Sequence, residues 1–189
     1  MQRSKAEVRA AILRARRRVS KQVHSVEAQA LADHLSAFIA DTATVCAYVP
    51  VGSEPGSIEL LDSLHSRGVH VLLPVARADI AGLQWGDYRP GALVEAPFGL
   101  REPAPPWSGG DAISDASVIL VPALAVDRSG VRLGRGAGFY DRALPLADPA
   151  ARLIAVVRDD ELVDVLPVEP HDVRMTHALT PERGLVTLG

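Results

Sequence analysis

Short apolar runs alternate with segments of helical periodicity along most of the chain, and this alternation limits the fold more than any other feature. The runs TVCAYVP and VHVLLPVA flank the amphipathic segment SIELLDSLHSRG, which predicts a βαβ unit with its helix between Ser57 and Gly68. Further strands are predicted in LQWGDY, ASVILVPALAV, RLIAVV and MTHAL. Strands that alternate with helices pair in parallel and place the helices on the faces of the sheet. The sequence therefore predicts an α/β fold, with three layers (α/β/α) and a mainly parallel central sheet.

Two further helices are expected. One lies before the first strand, with Ser25 as its N-cap. Its buried face is expected to carry Leu31, Leu35, Phe38 and Ile39. The other opens at the glycine-rich stretch RLGRGAGFYDRAL and continues through YDRALPLA. The Pro- and Gly-rich segment between Pro97 and Gly110 is interpreted as a loop, because the strand after it is needed to complete the sheet.

Size and composition fit one domain that spans residues 1–189. Hydrophobic residues make up 48% of the chain and charged residues 23%, and no apolar run approaches the roughly 20 residues that a membrane-spanning helix needs. The N-terminus lacks the apolar core of a secretory signal. The lone cysteine, Cys46, has no disulfide partner in its own chain. We expect a cytoplasmic monomer without membrane contacts.

Positive charge is concentrated at the N-terminus, where residues 1–24 contain eight Lys or Arg and one Glu. On a helix, the apolar stripe of this segment would be Val8, Ile12, Ala15 and Val19. Lys5, Arg9 and Arg16 would line one edge of the stripe and reach toward a cleft. The remaining cations would point to solvent: Arg3, Arg14, Arg17, Arg18 and Lys21. The segment is interpreted either as solubilising charge or as a surface for phosphates or nucleic acid.

Three loops that follow predicted strands carry unusual side chains. Ligands of open α/β sheets bind beyond the carboxyl ends of the strands, so these loops are the candidate site. YVPVGSEPG contains Glu54, and LPVEPHDVRM contains Glu169, His171 and Asp172. The third loop, VPALAVDRSGVRLGRGAGFYDR, is the richest in charge and glycine: it contains Asp127, Arg132, Gly134, Arg135, Gly136, Gly138 and Asp141.

The glycine-rich loop has the parts of a phosphate site. Bare backbone lets N–H groups approach phosphate oxygens, the guanidinium groups add charge-assisted hydrogen bonds, and the following helix would present its positive end. The loop lacks the Gly-Lys-Ser/Thr of a Walker A motif, and its G-x-G-x-G departs from the dinucleotide motif G-x-G-x-x-G. A flexible turn is the alternative. Asp141 would either interact with the helix dipole or meet a magnesium ion that accompanies the phosphates.

The stretch VPALAVDRSGVRLGRGAGFYDRAL resembles the signature of the 5-formyltetrahydrofolate cyclo-ligase family, in which a strand, Pro and Asp precede R-L-G-x-G-x-G-Y-Y-D-R. Lys5 and Arg9 match the K-x-x-x-R pair near the start of that family, and YVPVGSEP matches its folate-contacting turn. WGDY, FGLREP and LPVEPHDVRMTHALTPE resemble further elements in the same order. The resemblance covers nearly the whole chain. It implies ATP-dependent closure of 5-formyltetrahydrofolate to 5,10-methenyltetrahydrofolate through phosphorylation of the formyl oxygen.

The resemblance also implies roles for individual residues. ATP would contact Lys5, Arg9, Arg132, Leu133, Gly134, Arg135, Gly136, Ala137, Gly138, Phe139 and Tyr140. Folate would contact Val49, Glu54, Arg135, Gly136, Ala137, Gly138 and Phe139. Mg²⁺ would be held by Asp141 and Asp172, and catalysis would involve Arg135, Tyr140 and Asp141. Ala137 stands where some members have Lys, and Glu161 falls near a usual Gln.

Two other functions use the same features differently. A sugar-phosphate isomerase or a CoA-transferase-like enzyme would use the loop for a phosphate without ATP. An RNA-binding module would use the basic N-terminal helix, but the chain lacks the interleaved aromatic residues of single-strand binding, and its remainder is acidic. We therefore expect small-molecule partners, folate and ATP, and no nucleic acid.

Overall fold

The computed structural model describes residues 4–41 and 43–189. The α-helices of these residues are α1 (Lys5–Arg16), α2 (Lys21–Ser36), α3 (Ile58–Ser66) and α4 (Phe139–Ala143). Their 3-10 helices are Pro97–Gly99, Gly110–Asp115, Leu144–Leu146 and Asp159–Glu161. Their strands are β1 (Thr44–Cys46), β2 (His70–Ala76), β3 (Leu83–Asp87), β4 (Leu93–Ala96), β5 (Leu100–Pro103), β6 (Val118–Pro122), β7 (Ala125–Asp127), β8 (Arg132–Leu133), β9 (Arg152–Val156), β10 (Leu162–Val163), β11 (His177–Thr180) and β12 (Gly184–Thr187).

The largest sheet of the described residues has seven strands in the order β12-β11-β9-β6-β1-β2-β3. The five inner strands run parallel, and the edge strands β12 and β3 pair antiparallel with their neighbours. Val45 in β1 lies opposite Val71 on one side and Val118 on the other. This arrangement confirms the predicted mainly parallel α/β sheet.

Helical layers cover both faces of the sheet, as the alternating pattern predicts. On one face, α2 and α3 contribute a buried leucine cluster against the sheet: Leu31, Leu35, Leu60, Leu61 and Leu64. On the other face, α4 and two 3-10 helices pack Ile113, Ala143 and Leu144 against strand residues that include Trp85 and Ile119. The second layer is built from short pieces, since the predicted helix through YDRALPLA ends at Ala143 and continues as the 3-10 turn Leu144–Leu146.

Helix α1 packs on a smaller sheet, β10-β7-β8, and not on the central one. Val8, Ile12 and Leu13 contact the buried cluster of that sheet. The predicted apolar stripe is therefore wrong at Ala15, which is exposed, and at Val19, which lies beyond the end of the helix. Leu13 joins Val8 and Ile12 on the buried face instead, because this face of α1 packs against the small sheet.

Two predicted boundaries are wrong. Helix α2 begins at Lys21, and its N-cap is Ser20, whose hydroxyl accepts a hydrogen bond from the Val23 N–H, so the Ser25 cap is wrong. The apolar run ASVILVPALAV forms two strands in different sheets, β6 and β7. It divides after Pro122, because the Leu124 N–H donates to the Leu133 carbonyl of β8 and the chain leaves the central sheet there.

Ser57 does stand at the N-cap of α3, but its side chain makes no cap hydrogen bond among the described residues. No helix in the described ranges combines the length and the apolar character that crossing a membrane requires.

Candidate functional site

The sheet changes direction between β1 and β6. These strands are neighbours, yet the chain leaves β1 toward β2 on one side and leaves β6 toward β9 on the other. A crevice at the carboxyl ends of two such strands is the usual ligand site of an open α/β sheet. The turn with Glu54 follows β1, and the glycine-rich stretch follows β6 through β7 and β8. The Arg135 Nε atom lies 3.1 Å from the Glu54 carboxylate, so the crevice brings the two predicted loops together.

Residues 132–138, here called the glycine loop, require glycine for two different reasons. Gly136 and Gly138 have φ angles of 104° and 73°, which side chains adopt only with strain. A Cβ atom on Gly134 would lie 2.7 Å from Nη1 of Arg132. The helix that follows, α4, has only five residues, so its N-terminus adds less positive potential than a longer helix would. Loop N–H groups and side-chain cations are the groups here that suit an anion.

Two of those cations come from α1, one helical turn apart. The Arg9 Nε–H donates to the Gly134 carbonyl at 2.8 Å. The Lys5 Nζ atom lies 2.9 Å from Glu169 and 3.1 Å from Asp172. Burial alone lowers the pKa of Lys5, but its bonds to these carboxylates outweigh burial and raise the pKa above its ordinary value. Lys5 and Arg9 therefore reach two of the predicted loops, Lys5 through Glu169 and Asp172 and Arg9 through Gly134, and their role at a ligand stays a prediction.

The third cation, Arg132, ties the loop to the start of α4. Its Nη2 atom donates to Asp141 at 3.0 Å, and its Nη1 atom donates to the Pro122 carbonyl at 3.2 Å. Its guanidinium carbon lies 5.7 Å from the centre of the Tyr140 ring, within the range of a cation–π contact. Asp141 is thus held by an arginine and is not merely an acidic residue at a helix terminus.

The aromatic pair after the loop is partly buried. The Tyr140 hydroxyl is fully buried and finds no hydrogen-bond partner among the described residues. Burial is the main cause of its raised pKa, so this phenol stays neutral. Phe139 lies under the Arg142 guanidinium, whose central carbon is 5.2 Å from the ring centre. Among the other predicted contacts, Leu133 is buried, Val49 half-buried and Ala137 exposed.

A cluster of possible metal ligands lies beside Lys5. One ligand atom each from Glu169, His171 and Asp172 lies within 4.8 Å of the others, and Asp141 is not a member of this cluster. Carboxylate oxygens are suitable ligands for Mg²⁺. Of the two predicted magnesium ligands, Asp141 pairs with Arg132 and Asp172 pairs with Lys5.

Asp127, which the sequence places among the charged residues of the loop, is buried and holds the backbone. One carboxylate oxygen accepts hydrogen bonds from the N–H groups of Ser129 and Val131. The other accepts from the Leu166 N–H at 2.9 Å. An aspartate before Arg-Ser-Gly is typical of a side-chain-capped turn, and this signal identifies its structural role.

Arg16 differs from the predicted edge position. Its side chain is 1% exposed, with Nε 2.6 Å from Glu161 Oε1 and Nη2 2.8 Å from Glu161 Oε2. The prediction that Arg16 reaches the cleft at the edge of the stripe is therefore wrong, because a buried carboxylate 145 residues away binds it. Glu161 is occupied by this pair and by the Arg158 N–H.

A glycine-rich loop at the carboxyl edge of a parallel sheet, with cations and carboxylates gathered around it, is the arrangement of an α/β enzyme with an anion-binding site. The chain belongs to the 5-formyltetrahydrofolate cyclo-ligase family, whose sequence model matches residues 1–181. The 5-formyltetrahydrofolate cyclo-ligase of Mycolicibacterium smegmatis is 64% identical over 190 residues, which cover 98% of this chain and 98% of that protein. The 5-formyltetrahydrofolate cyclo-ligase of Escherichia coli is 32% identical over 143 residues, covering 74% of this chain and 79% of that protein.

Two solved structures share the fold. The 5,10-methenyltetrahydrofolate synthetase of Aquifex aeolicus has a TM-score of 0.82 at 22% identity, over 97% of this chain and 92% of that one. The synthetase of Mycoplasma pneumoniae has a TM-score of 0.72 at 20% identity, over 92% of this chain and 96% of that one. At these identities the likeness concerns the fold alone. The family relationship indicated by the sequence motifs is confirmed, and the chain is an enzyme of the cyclo-ligase family.

Proposed function

We propose that the enzyme closes 5-formyltetrahydrofolate to 5,10-methenyltetrahydrofolate and consumes ATP, with release of ADP and phosphate. The observation that carries this proposal is the contact between the glycine loop and the turn after β1, through Arg135 and Glu54 at 3.1 Å. A reaction that joins a phosphate donor to a second substrate needs two binding loops in contact. Relatives named as 5-formyltetrahydrofolate cyclo-ligases support the choice of substrate.

The loop and α1 would hold ATP. Backbone N–H groups of residues 134–138 would donate to phosphate oxygens, and the guanidinium and ammonium groups of Arg9, Arg132 and Lys5 would add positive charge; Arg9 already contacts the loop at the Gly134 carbonyl. Phosphate oxygens would accept hydrogen bonds that Lys5 and Arg132 now give to Asp172 and Asp141. The two carboxylates would then be available to Mg²⁺, which supplies positive charge that neutralises the phosphates. The oxygen-rich donor set fits this ion.

The turn after β1 would hold folate. Both carboxylate oxygens of Glu54 are oriented: one accepts the Val51 N–H at 3.0 Å, and the other faces Arg135. A carboxylate fixed in this way is suited to the N–H groups along the amino-pyrimidine edge of a pterin. Val49 would pack against the ring, and Arg135 would contact both substrates because it lies where the two loops meet.

The chemistry explains why ATP is needed. A formamide oxygen is a poor leaving group, so the formyl oxygen first attacks the γ-phosphorus, which forms an O–P bond and releases ADP. The neighbouring folate amine then attacks the formyl carbon, and the C–O bond breaks with loss of phosphate. The amine proton leaves with the phosphate as HPO₄²⁻. The protein contributes chiefly orientation and charge neutralisation, since such transfers need little covalent chemistry from side chains.

The activity is tested by the absorbance of 5,10-methenyltetrahydrofolate. The product is expected only when 5-formyltetrahydrofolate, ATP and Mg²⁺ are all present. Product formed without ATP would contradict the proposal. If the enzyme binds labelled ATP but does not hydrolyse it in the presence of the folate, the loop would be a phosphate site that does not serve this reaction. We also propose that the enzyme works as a cytoplasmic monomer. Light scattering of the purified chain tests the oligomeric state, and a free Cys46 whose pKa is raised by burial is consistent with a reducing compartment.

A further inference from the structure

A second cavity with basic walls, here called the basic pocket, lies beside the turn after β1. Its volume is about 320 Å³. The end of α1, the start of α2 and the turn residues Gly52 and Ser53 form its walls. Its cationic side chains are Arg16, Arg17, Lys21 and Arg158. None of these four residues has a role in the proposed reaction.

Arg16 provides the first sign of a missing ligand. Arg16 is 2% exposed. Its Nε atom donates to Glu161, and its Nη2 atom donates to Glu161 and to the Ala123 carbonyl. Its Nη1 atom is buried and finds no hydrogen-bond partner in residues 4–41 and 43–189. A buried charged donor without an acceptor is costly, and native proteins rarely leave one in that state. Arg16 forms part of the pocket wall, so an anion in the pocket would become the acceptor once the guanidinium group turns toward the cavity.

Uncompensated charge is the second sign. Arg158 pairs with Glu27 at 2.9 Å, and Arg16 pairs with Glu161. Arg17 and Lys21 are exposed and have no ion pair among the described residues. The pocket also faces the start of α2, a helix of 16 residues whose first turn contains no acidic side chain. Such a helix start adds positive potential to that of the side chains.

We propose that the basic pocket is a second anion subsite, separate from the glycine loop, which binds a carboxylate or phosphate group. Its volume suits a small multivalent anion. Arg17 and Lys21 would supply charge at its mouth, and Arg16 would supply the buried donor.

The anion has two possible sources. One is the glutamate portion of the folate substrate, a source that rests on the proposed function. Gly52 and Ser53 belong to the same turn as Glu54, and His24, also in the pocket wall, lies 3.0 Å from the Glu54 carbonyl oxygen through its Nε2 atom. The other source is a free anion such as inorganic phosphate.

Binding is tested without turnover. Inorganic phosphate and glutarate, a small dicarboxylate, are titrated into ¹⁵N-labelled enzyme while the amide signals of Gly52, Ser53 and His24 are followed. The double variant Arg17→Glu, Lys21→Glu is expected to weaken binding at least about tenfold, because two charge-assisted contacts become repulsive. The matched control is Arg14→Glu, Arg18→Glu, which changes net charge equally at exposed positions outside the pocket. Arg16 itself is not substituted, because its loss would leave Glu161 unpaired in the core.

Kinetics separate the two sources. If the substrate supplies the anion, the Arg17→Glu, Lys21→Glu variant raises KM about tenfold for 5-formyltetrahydrofolate and leaves KM unchanged for its derivative with both carboxylates amidated. If a free anion is the ligand, the pocket amides shift with phosphate and both KM values stay unchanged.

The proposal is overturned if neither probe shifts the pocket amides, or if the control pair weakens binding as much as the pocket pair. Enzyme that shows the amide shifts but no ring closure would contradict the proposed function and leave the anion subsite standing.

Discussion

The glycine loop and the basic pocket both border the turn after β1, and they differ in how their cations are balanced. At the glycine loop, Lys5, Arg132 and Arg135 each pair with a carboxylate at about 3 Å. In the basic pocket, Arg17 and Lys21 have no ion pair among the described residues. A ligand of the loop must therefore displace carboxylates that hold the loop in shape, whereas a ligand of the pocket meets free positive charge. Balanced cations suit a site that binds a metal together with its anion.

The buried pair beneath the basic pocket gives the largest expected effect. Glu161→Gln removes the charge that balances Arg16 and places an amide N–H₂ against existing donors. The free energy of unfolding should fall by about 3 kcal/mol, as for other buried pairs that lose one partner. Urea unfolding measures this loss. Asp160→Asn, with a side chain 64% exposed in the same turn, is the control and should change stability by less than about 0.5 kcal/mol. A loss below about 1 kcal/mol in Glu161→Gln would mean that water already screens Arg16.

At the glycine loop, the expected effects fall on catalysis and not on stability. Asp141→Asn keeps the size of the side chain and removes its charge, so the rate should fall about 100-fold while the fold persists. The magnesium concentration needed for half-maximal rate should rise strongly, which a titration at fixed ATP measures. If the magnesium dependence does not change, Asp141 is not a metal ligand and serves only as the ion-pair partner of Arg132.

The two α1 cations at the loop should act through ATP binding. Lys5→Ala and Arg9→Ala should each raise the KM for ATP about tenfold, since each removes a charge-assisted contact to phosphate. Arg14→Ala, an exposed position on the same helix, is the control and should leave KM unchanged. Equal effects of all three substitutions would show that α1 acts only through bulk charge.

The smallest expected effect comes from the loop backbone. Gly134→Ala places a methyl group 2.7 Å from Nη1 of Arg132, whose flexible end moves aside and loosens its bond to Asp141. The KM for ATP should rise about threefold, with little change in melting temperature. Gly109→Ala is a matched control, because its new methyl group meets a similarly flexible atom, Asp111 Oδ1 at 2.8 Å, away from the loop. A large loss of stability in Gly134→Ala would show that the backbone itself is strained at this position.

Much of the loop site could be predicted from the sequence. The alternation of strands and helices places Glu54 and Arg135 at the same edge of a parallel sheet, and the helical periodicity of α1 turns Lys5 and Arg9 toward that edge. These inferences depend on local geometry and on the general topology of α/β sheets. The Arg135–Glu54 and Arg9–Gly134 contacts agree with these inferences, whereas Arg16, predicted at the same edge, is buried against Glu161.

The basic pocket could not be predicted in the same way. The burial of Arg16 depends on Glu161, which no local pattern connects to α1. The positions of Arg17 and Lys21 depend on where α1 ends and how the chain turns into α2, and the sequence places the cap of α2 at Ser25 when Ser20 provides it. Helix boundaries and long-range ion pairs depend on tertiary packing, and periodicity does not reveal either of them.

The central claim is that the glycine loop brings the γ-phosphate of ATP against the formyl oxygen of the folate. It is tested most directly with 5-formyltetrahydrofolate that carries ¹⁸O in its formyl group. If the formyl oxygen attacks phosphorus, that atom leaves with the phosphate, and mass spectrometry should find the label in inorganic phosphate at one atom per turnover. Label found only in water would show that ATP hydrolysis is not covalently coupled to ring closure and would contradict the role proposed for the loop.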